Sequence, residues 1–296
     1  MSMKTRAQLP RYIAIVLLVL AARVQAQERP LPDPAVFLPE VKKRLQTDQT
    51  LQSSYSFVET RRERKLDGNG RPTSESVKVI ENYPGLPGEE RWERLISEDG
   101  RAVPEDELAK KDRERKQKAE EYARRLSAQP EKERARQNHE WDEERREVAK
   151  RVDDIFRVYD VRMLGREAID GHGTIRFSLV PRPDARPETS EGRAMRHFSG
   201  TAWVSESDYE LVRLSVEAID TVSYGLGVLA RLHKGARLTF ERRKVNGEVW
   251  LPAKASYSFN ARVALLKMLR RDAMLEFSNY RKFSVDTSSS FATPVQ

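Results

Sequence analysis

Five turn signals divide most of this chain into short alternating runs, and that punctuation constrains the fold more than any other feature. They are Asp67-Gly68-Asn69-Gly70, Pro84-Gly85-Leu86-Pro87-Gly88, Asp170-Gly171-His172-Gly173, Glu206-Ser207-Asp208 and Asn246-Gly247. Gly and Asn tolerate the positive φ of tight hairpins, so each cluster reads as a reversal between two strands. The expected strands cover 53–66, 73–83, 91–97, 158–169, 174–180, 198–205, 209–221, 236–245, 249–259 and 273–285. In one of them Ile175, Phe177 and Leu179 share a face; in another Val212, Leu214, Val216 and Ala218 do. About ten or eleven strands joined mainly by hairpins form an antiparallel sheet with one buried face, and a sheet that long curls.

Two regions read as helix. From Pro34 to about Thr50, Phe37, Val41 and Leu45 recur at helical spacing, and Asp33 is a good N-cap before a proline in the first turn. A sheet curled around that helix leaves a concave apolar groove. Residues 104–157 hold 16 basic and 16 acidic side chains and few strand formers. Pro104-Glu105-Asp106-Glu107 begins a first helix, with negative charge at the positive end of its dipole. It runs to about Ala128, Gln129-Pro130 breaks it, and a second helix runs to about Phe156. Trp141, Val148, Val152, Ile155 and Phe156 fall on one face of the second helix, so its C-terminal half is expected to dock on the sheet. The first carries only a thin stripe of Leu108, Ala119, Tyr122 and Leu126. The expected fold class is α+β: a long antiparallel meander curled into a half-barrel, an N-terminal helix in the concave side, and a charged two-helix insertion.

Lys4, Arg6 and Arg11 precede an apolar run from Tyr12 to Ala22, which Val24-Gln25-Ala26 closes with a small-residue cleavage pattern. That is the pattern of a cleaved secretory signal peptide, and the run is too short for the ~20 residues of a membrane span. The expected organisation is a signal peptide at 1–26, one domain over 27–286 interrupted at 104–157, and a flexible tail over 287–296. The chain has no Cys, which removes disulfides, thiol chemistry and a lipidated N-terminal cysteine. An exported domain large enough to fold without disulfides points to a bacterial periplasm. The formal charge is +8, and discounting the four cations of residues 1–26 leaves +4 on a mixed-sign surface. Nucleic acid is therefore not an expected partner.

Catalytic signatures are missing. His139, His172, His197 and His233 show no metal-ligand spacing, no Gly-x-Ser-x-Gly elbow occurs, and Gly225-Leu226-Gly227 lacks the context of a phosphate loop. No catalytic residue, cofactor or metal is expected. Two segments stand outside the hairpin pattern: Ser223 to Lys234 and Ala261 to Arg271, each a short apolar run ended by basic residues. They read either as packing at the open end of the sheet or as an apolar mouth that admits a lipid chain or touches a membrane surface.

Gly200-Thr201-Ala202-Trp203-Val204, Asp208-Tyr209-Glu210-Leu211-Val212-Arg213-Leu214 and Lys244-Val245-Asn246-Gly247-Glu248-Val249-Trp250-Leu251-Pro252 follow the signal peptide and N-terminal helix in an order that resembles the periplasmic lipoprotein-carrier superfamily of the LolA, LolB and RseB type, in particular its outer-membrane lipoprotein-sorting members. The resemblance covers most of 34–285 except the helical insertion, which is foreign to the small carriers. It implies an antiparallel half-barrel, a cavity for acyl chains, no catalysis, and a lipid or lipoprotein ligand. Candidate ligand-lining residues, taken from the pattern of the chain itself, are Trp92, Trp203, Leu226, Leu229, Leu232, Trp250 and Leu266. Residues 104–157 are the candidate contact for a protein partner, which is the competing expectation of an interaction or stress-sensing module.

Overall fold

The computed structural model describes residues 30–52, 54–84, 91–128, 130–224, 230–264 and 267–282. The expected signal peptide and tail, with Leu226, Leu229 and Leu266, lie outside these residues. In chain order the elements are α1 (Pro34–Gln52), β1 (Tyr55–Leu66), β2 (Pro72–Tyr83), β3 (Trp92–Glu98), β4 (Arg101–Ala102), α2 (Glu105–Ser127) and α3 (Glu131–Val158). There follow β5 (Tyr159–Ile169), β6 (His172–Pro181), α4 (Ser190–Met195), β7 (Phe198–Ser205), β8 (Leu211–Ala218), β9 (Val222–Tyr224), β10 (Ala230–Leu232), β11 (Arg237–Val245), β12 (Val249–Val263) and β13 (Lys267–Lys282).

The thirteen strands form one antiparallel sheet in the order β4-β3-β2-β1-β13-β12-β11-β8-β7-β6-β5, with β10 branching onto β12 and β9 onto β10. It curls into a half-barrel that does not close. The hairpins β1–β2, β5–β6, β7–β8 and β11–β12 fall where turn residues sit, while residues 85–88 of the Pro84 to Gly88 turn lie outside the described residues; Asn246 and Gly247 both take positive φ, 52° and 69°, as a two-residue hairpin requires. The long-range step is β1 beside β13, which joins the two ends of the described chain and lets the insertion lie between the two ends of the strand order, β4 and β5.

Helix α1 starts where Asp33 accepts the Ala35 N–H at 2.9 Å. Phe37 and Val41, one turn apart, are buried against Ile175, Phe177 and Val204, with Leu45 and Tyr209 packed at the margin. The Phe37 ring lies 5.9 Å from Phe177 and 5.0 Å edge-on to Tyr209. Burying such a ring contributes roughly 1.5–3 kcal/mol, so two helical residues suffice to seat α1 on one face of β6 and β7. We call this the inner face.

The C-terminal end of α3 is fixed by Asp154, which is fully buried. It accepts hydrogen bonds from the Glu188 N–H (3.0 Å), the Thr189 N–H (2.8 Å), the Thr189 hydroxyl (2.7 Å) and Arg157 (2.8 Å). Burial alone would raise its pKa; those donors outweigh burial and hold it below the ordinary carboxylate value. Lys42 of α1 pairs with Asp153 at 2.8 Å.

Several expectations need correction. Trp141 does not join the docked stripe of α3: it is 43% exposed, because only the last turns, from Val152 onward, reach α1 and the sheet. Between β6 and β7 lies the short helix α4, which the reading of two helical regions did not include, capped by the Thr189 hydroxyl accepting from the Gly192 N–H. Val212 leaves the face of Leu214 and Val216: a bulge sets Trp203 opposite Arg213 but Val204 opposite Leu211. Val212 therefore packs with Ile169 and Trp250. Finally, 223–234 and 261–271 do not interrupt strands. Their described parts are mostly strand: β9 pairs β10, β10 pairs Ala261–Val263, and β12 pairs β13 antiparallel.

Candidate functional site

Directly opposed residues of paired strands share a face, so the inner face can be followed across the sheet from Phe177. One row runs Phe177, Ala202, Leu214, Phe240, Ala255, Leu275, Arg61, Lys78. The next runs Leu179, Gly200, Val216, Leu238, Tyr257, Ala273, Glu63, Ser76. Both rows change character along their length. On β6 and β7 the side chains are buried under α1 and α3. On β11, β12 and β13 the face stays apolar but is no longer covered: Leu238 is 39% exposed, and Phe240, Tyr257, Phe259, Leu269 and Leu275 are half-buried. Only Ala261 and Ala273 are buried there, among the described residues of these inner rows. On β1 the same rows become charged.

This charged margin is internally compensated. Glu59, buried, accepts from Arg61 Nε at 2.6 Å. That bond, opposed in part by burial, raises the Arg61 pKa. Glu63 accepts from the Tyr257 hydroxyl at 3.0 Å and pairs with Arg271 at 3.6 Å. Burial, then the Glu63 carboxylate, pushes the Tyr257 phenol up. Each carboxylate already has an arginine, so neither is arranged as a free acid or base. The arrangement can hold a molecule with two ends: an apolar chain across β11–β13 and a polar group at Glu59, Arg61, Glu63 and Arg271.

The sequence-derived candidates fall in three places. Trp203 and Trp250 come together, with Ile169 and Val212, on the face away from α1. Their indole N–H groups donate to Glu167 (2.8 Å) and Asp208 (2.9 Å). Trp92 sits beside Tyr83 under α2, where the Arg115 guanidinium lies 4.0 Å from the Tyr83 ring and 5.4 Å from the Trp92 ring. Arg94 adds a bond to Asp112 of α2 at 3.0 Å. Burial lowers the Arg115 pKa, whereas burial and then Glu81 push Tyr83 up to about 12. Leu232 alone of the described candidates lies on the inner face, opposite Ala261. Phe240, Leu275 and the charged margin were not picked out by sequence reasoning. Alternation marks Phe240 and Leu275 as facing one side, but which side carries α1 is set by pairing.

A separate cavity of about 590 Å³ lies at the β3–β4 turn, lined by Leu95, Glu98, Asp99, Arg101, Ala102, Val103, Pro104 and Glu107. Charged and backbone groups dominate it, so it does not suit an acyl chain. No cluster of three or more His, Cys, Asp or Glu with metal-binding geometry occurs among the described residues. No described helix is long and apolar enough to cross a membrane.

No protein-family model and no curated protein matches the sequence. In solved structures the chain is similar to a putative outer membrane lipoprotein-sorting protein domain from Vibrio parahaemolyticus (10% identity, 86% of this chain and 93% of that one, TM-score 0.31). It is also similar to a LolA superfamily protein from Nitrosomonas europaea (10% identity, 84% and 94%, TM-score 0.27). A third match is the MucA/MucB complex of Pseudomonas aeruginosa (10% identity, 86% and 100%, TM-score 0.23). Identities and TM-scores this low carry no argument about ligand or partner, and the groove stands on the chain's own register.

Proposed function

We propose that this chain is an exported, non-catalytic binder or carrier of a lipid or acylated protein in the bacterial periplasm. Its acyl chain lies on the inner face of β11–β13 and its polar end at the β1 margin. The observation that carries this reading is the uncovered apolar stretch of the two inner rows, lying between a helix-covered core and a compensated charged edge. Each buried methylene contributes about 0.8 kcal/mol, so eight in contact with Leu238, Phe240, Phe259 and Leu275 supply roughly 6 kcal/mol before the cost of association. Leu232 extends the same wall; Leu226, Leu229 and Leu266 remain candidates by sequence alone, and Trp92, Trp203 and Trp250 serve other surfaces. Native mass spectrometry of the protein from a periplasmic extract tests it. A bound acyl species, lost in Leu238→Asp/Leu275→Asp, is expected. An apo mass with no uptake of palmitoylated peptide refutes it.

A second reading has its own observation. Trp141 stands 43% exposed on a helix otherwise covered with charge, as a residue that anchors a protein partner does. A pull-down from periplasmic extract that survives Trp141→Ser removes it.

A further inference from the structure

Several cross-strand cations in this sheet directly face a carboxylate as an ion pair: Arg213 with Glu241, Arg237 with Glu217 and Arg64 with Asp272. Where cations face each other at Arg61–Lys78 and Lys65–Arg271, Arg61, Lys78 and Arg271 are compensated by Glu59, Glu98 and Glu63. Among the described residues one facing pair has no such partner on either side. Where β10 lies along β12, Arg231 directly faces Arg262. Facing Cβ atoms are about 4.5–5.5 Å apart, and like charges at that spacing repel. The rest of the row is Ser223 on one side and Met268 on the other. In the next row His233 donates its backbone N–H to the Asn260 carbonyl at 2.9 Å, and Asn260 faces Arg270, itself bonded to the Asp67 carbonyl at 3.0 Å. Neither row offers a carboxylate, and Arg231 and Arg262 make no ion pair among the described residues.

Three buried side-chain nitrogens of this patch are also unused. Nε of Arg231, Nε of Arg262 and Nε2 of His233 are all buried without a hydrogen-bond partner. Buried donors are costly to leave unmet, and two facing cations add to that cost. A tetrahedral oxyanion removes both penalties together: its oxygens accept from several donors, and guanidinium forks match phosphate geometry. Met268, 48% exposed beside Arg262, gives the patch an apolar border.

We propose that Arg231, Arg262 and His233 form a binding site for a phosphate group, supplied either as a free phosphate or as the headgroup of an anionic lipid. The patch lies on the face opposite the inner rows, since Leu232 and Ala261 carry the inner register here. The proposal therefore does not rest on the acyl-chain reading.

The test uses the whole purified protein in two arms. Calorimetric titration with inorganic phosphate, against chloride at equal ionic strength, reads the free ligand. Co-sedimentation with phosphatidylcholine vesicles, with and without phosphatidylglycerol, reads the headgroup. Binding in either arm is expected, and the arm identifies the source. Arg231→Gln/Arg262→Gln is expected to weaken it by at least about tenfold, the loss that follows removal of charge-assisted bonds, without lowering Tm, because the repulsion goes with the charges. Arg262→Lys, which keeps charge but not the fork, is expected to fall between. Leu238→Asp/Leu275→Asp is expected to retain phosphate binding, so a failed groove and a failed anion site are distinguishable. Absence of binding in both arms, or wild-type binding by the double Gln variant, overturns the proposal.

Discussion

Asp154 holds the base of the helical arm, and its removal gives the most direct test of how the insertion is attached. Asp154→Ala deletes the acceptor for two backbone N–H groups, the Thr189 hydroxyl and Arg157. All four donors lie at the junction of α3 with the segment leading into α4, where the carboxylate is fully buried. Removing one partner of a buried, hydrogen-bonded charge costs about 3–5 kcal/mol. For a domain of this size each kcal/mol shifts Tm by about 2–4 °C, so the expected fall is about 10 °C. Scanning calorimetry measures it. The pH dependence gives a second readout. The folded pKa is depressed below the unfolded value of about 3.9, so the stabilisation is fully present above that value and is lost as pH falls through the folded pKa. The Tm gap between wild type and Asp154→Asn should therefore be widest at neutral pH and shrink below about pH 4. A fall of less than about 2 °C for the Ala variant, against the estimate above, refutes the reasoning, as does a gap that does not change with pH.

Other outcomes follow from named contacts. Arg115→Ala removes the guanidinium from the Tyr83 and Trp92 rings and is expected to loosen α2 by about 1–2 kcal/mol. Amide exchange should rise over 105–127 while β6 and β7 stay protected. Gly200→Ala places a Cβ 2.9 Å from Val216 Cα, where backbone must move, so a Tm loss equivalent to at least about 1 kcal/mol is expected in thermal melts. Arg262→Gln alone should raise Tm slightly in phosphate-free buffer, since it ends the Arg231–Arg262 repulsion.

Much of the architecture was legible in the chain. Turn residues fixed most hairpins, alternation placed Ile175, Phe177 and Leu179 on one face, and the Phe37–Val41–Leu45 spacing marked the stripe that seats α1. These are local properties: the period of a strand or helix and the φ demands of a turn act over a few residues. What the tertiary structure decided was non-local. Pairing β1 with β13 set Glu59, Arg61 and Glu63 at the margin of an apolar face, and pairing β10 with β12 put Arg231 against Arg262. A single bulge moved Val212 to the side of Trp203 and Trp250. Which face a residue shows follows from its own strand's period, but what it faces depends on the register of a strand far away in sequence, and a one-residue slip reverses the answer.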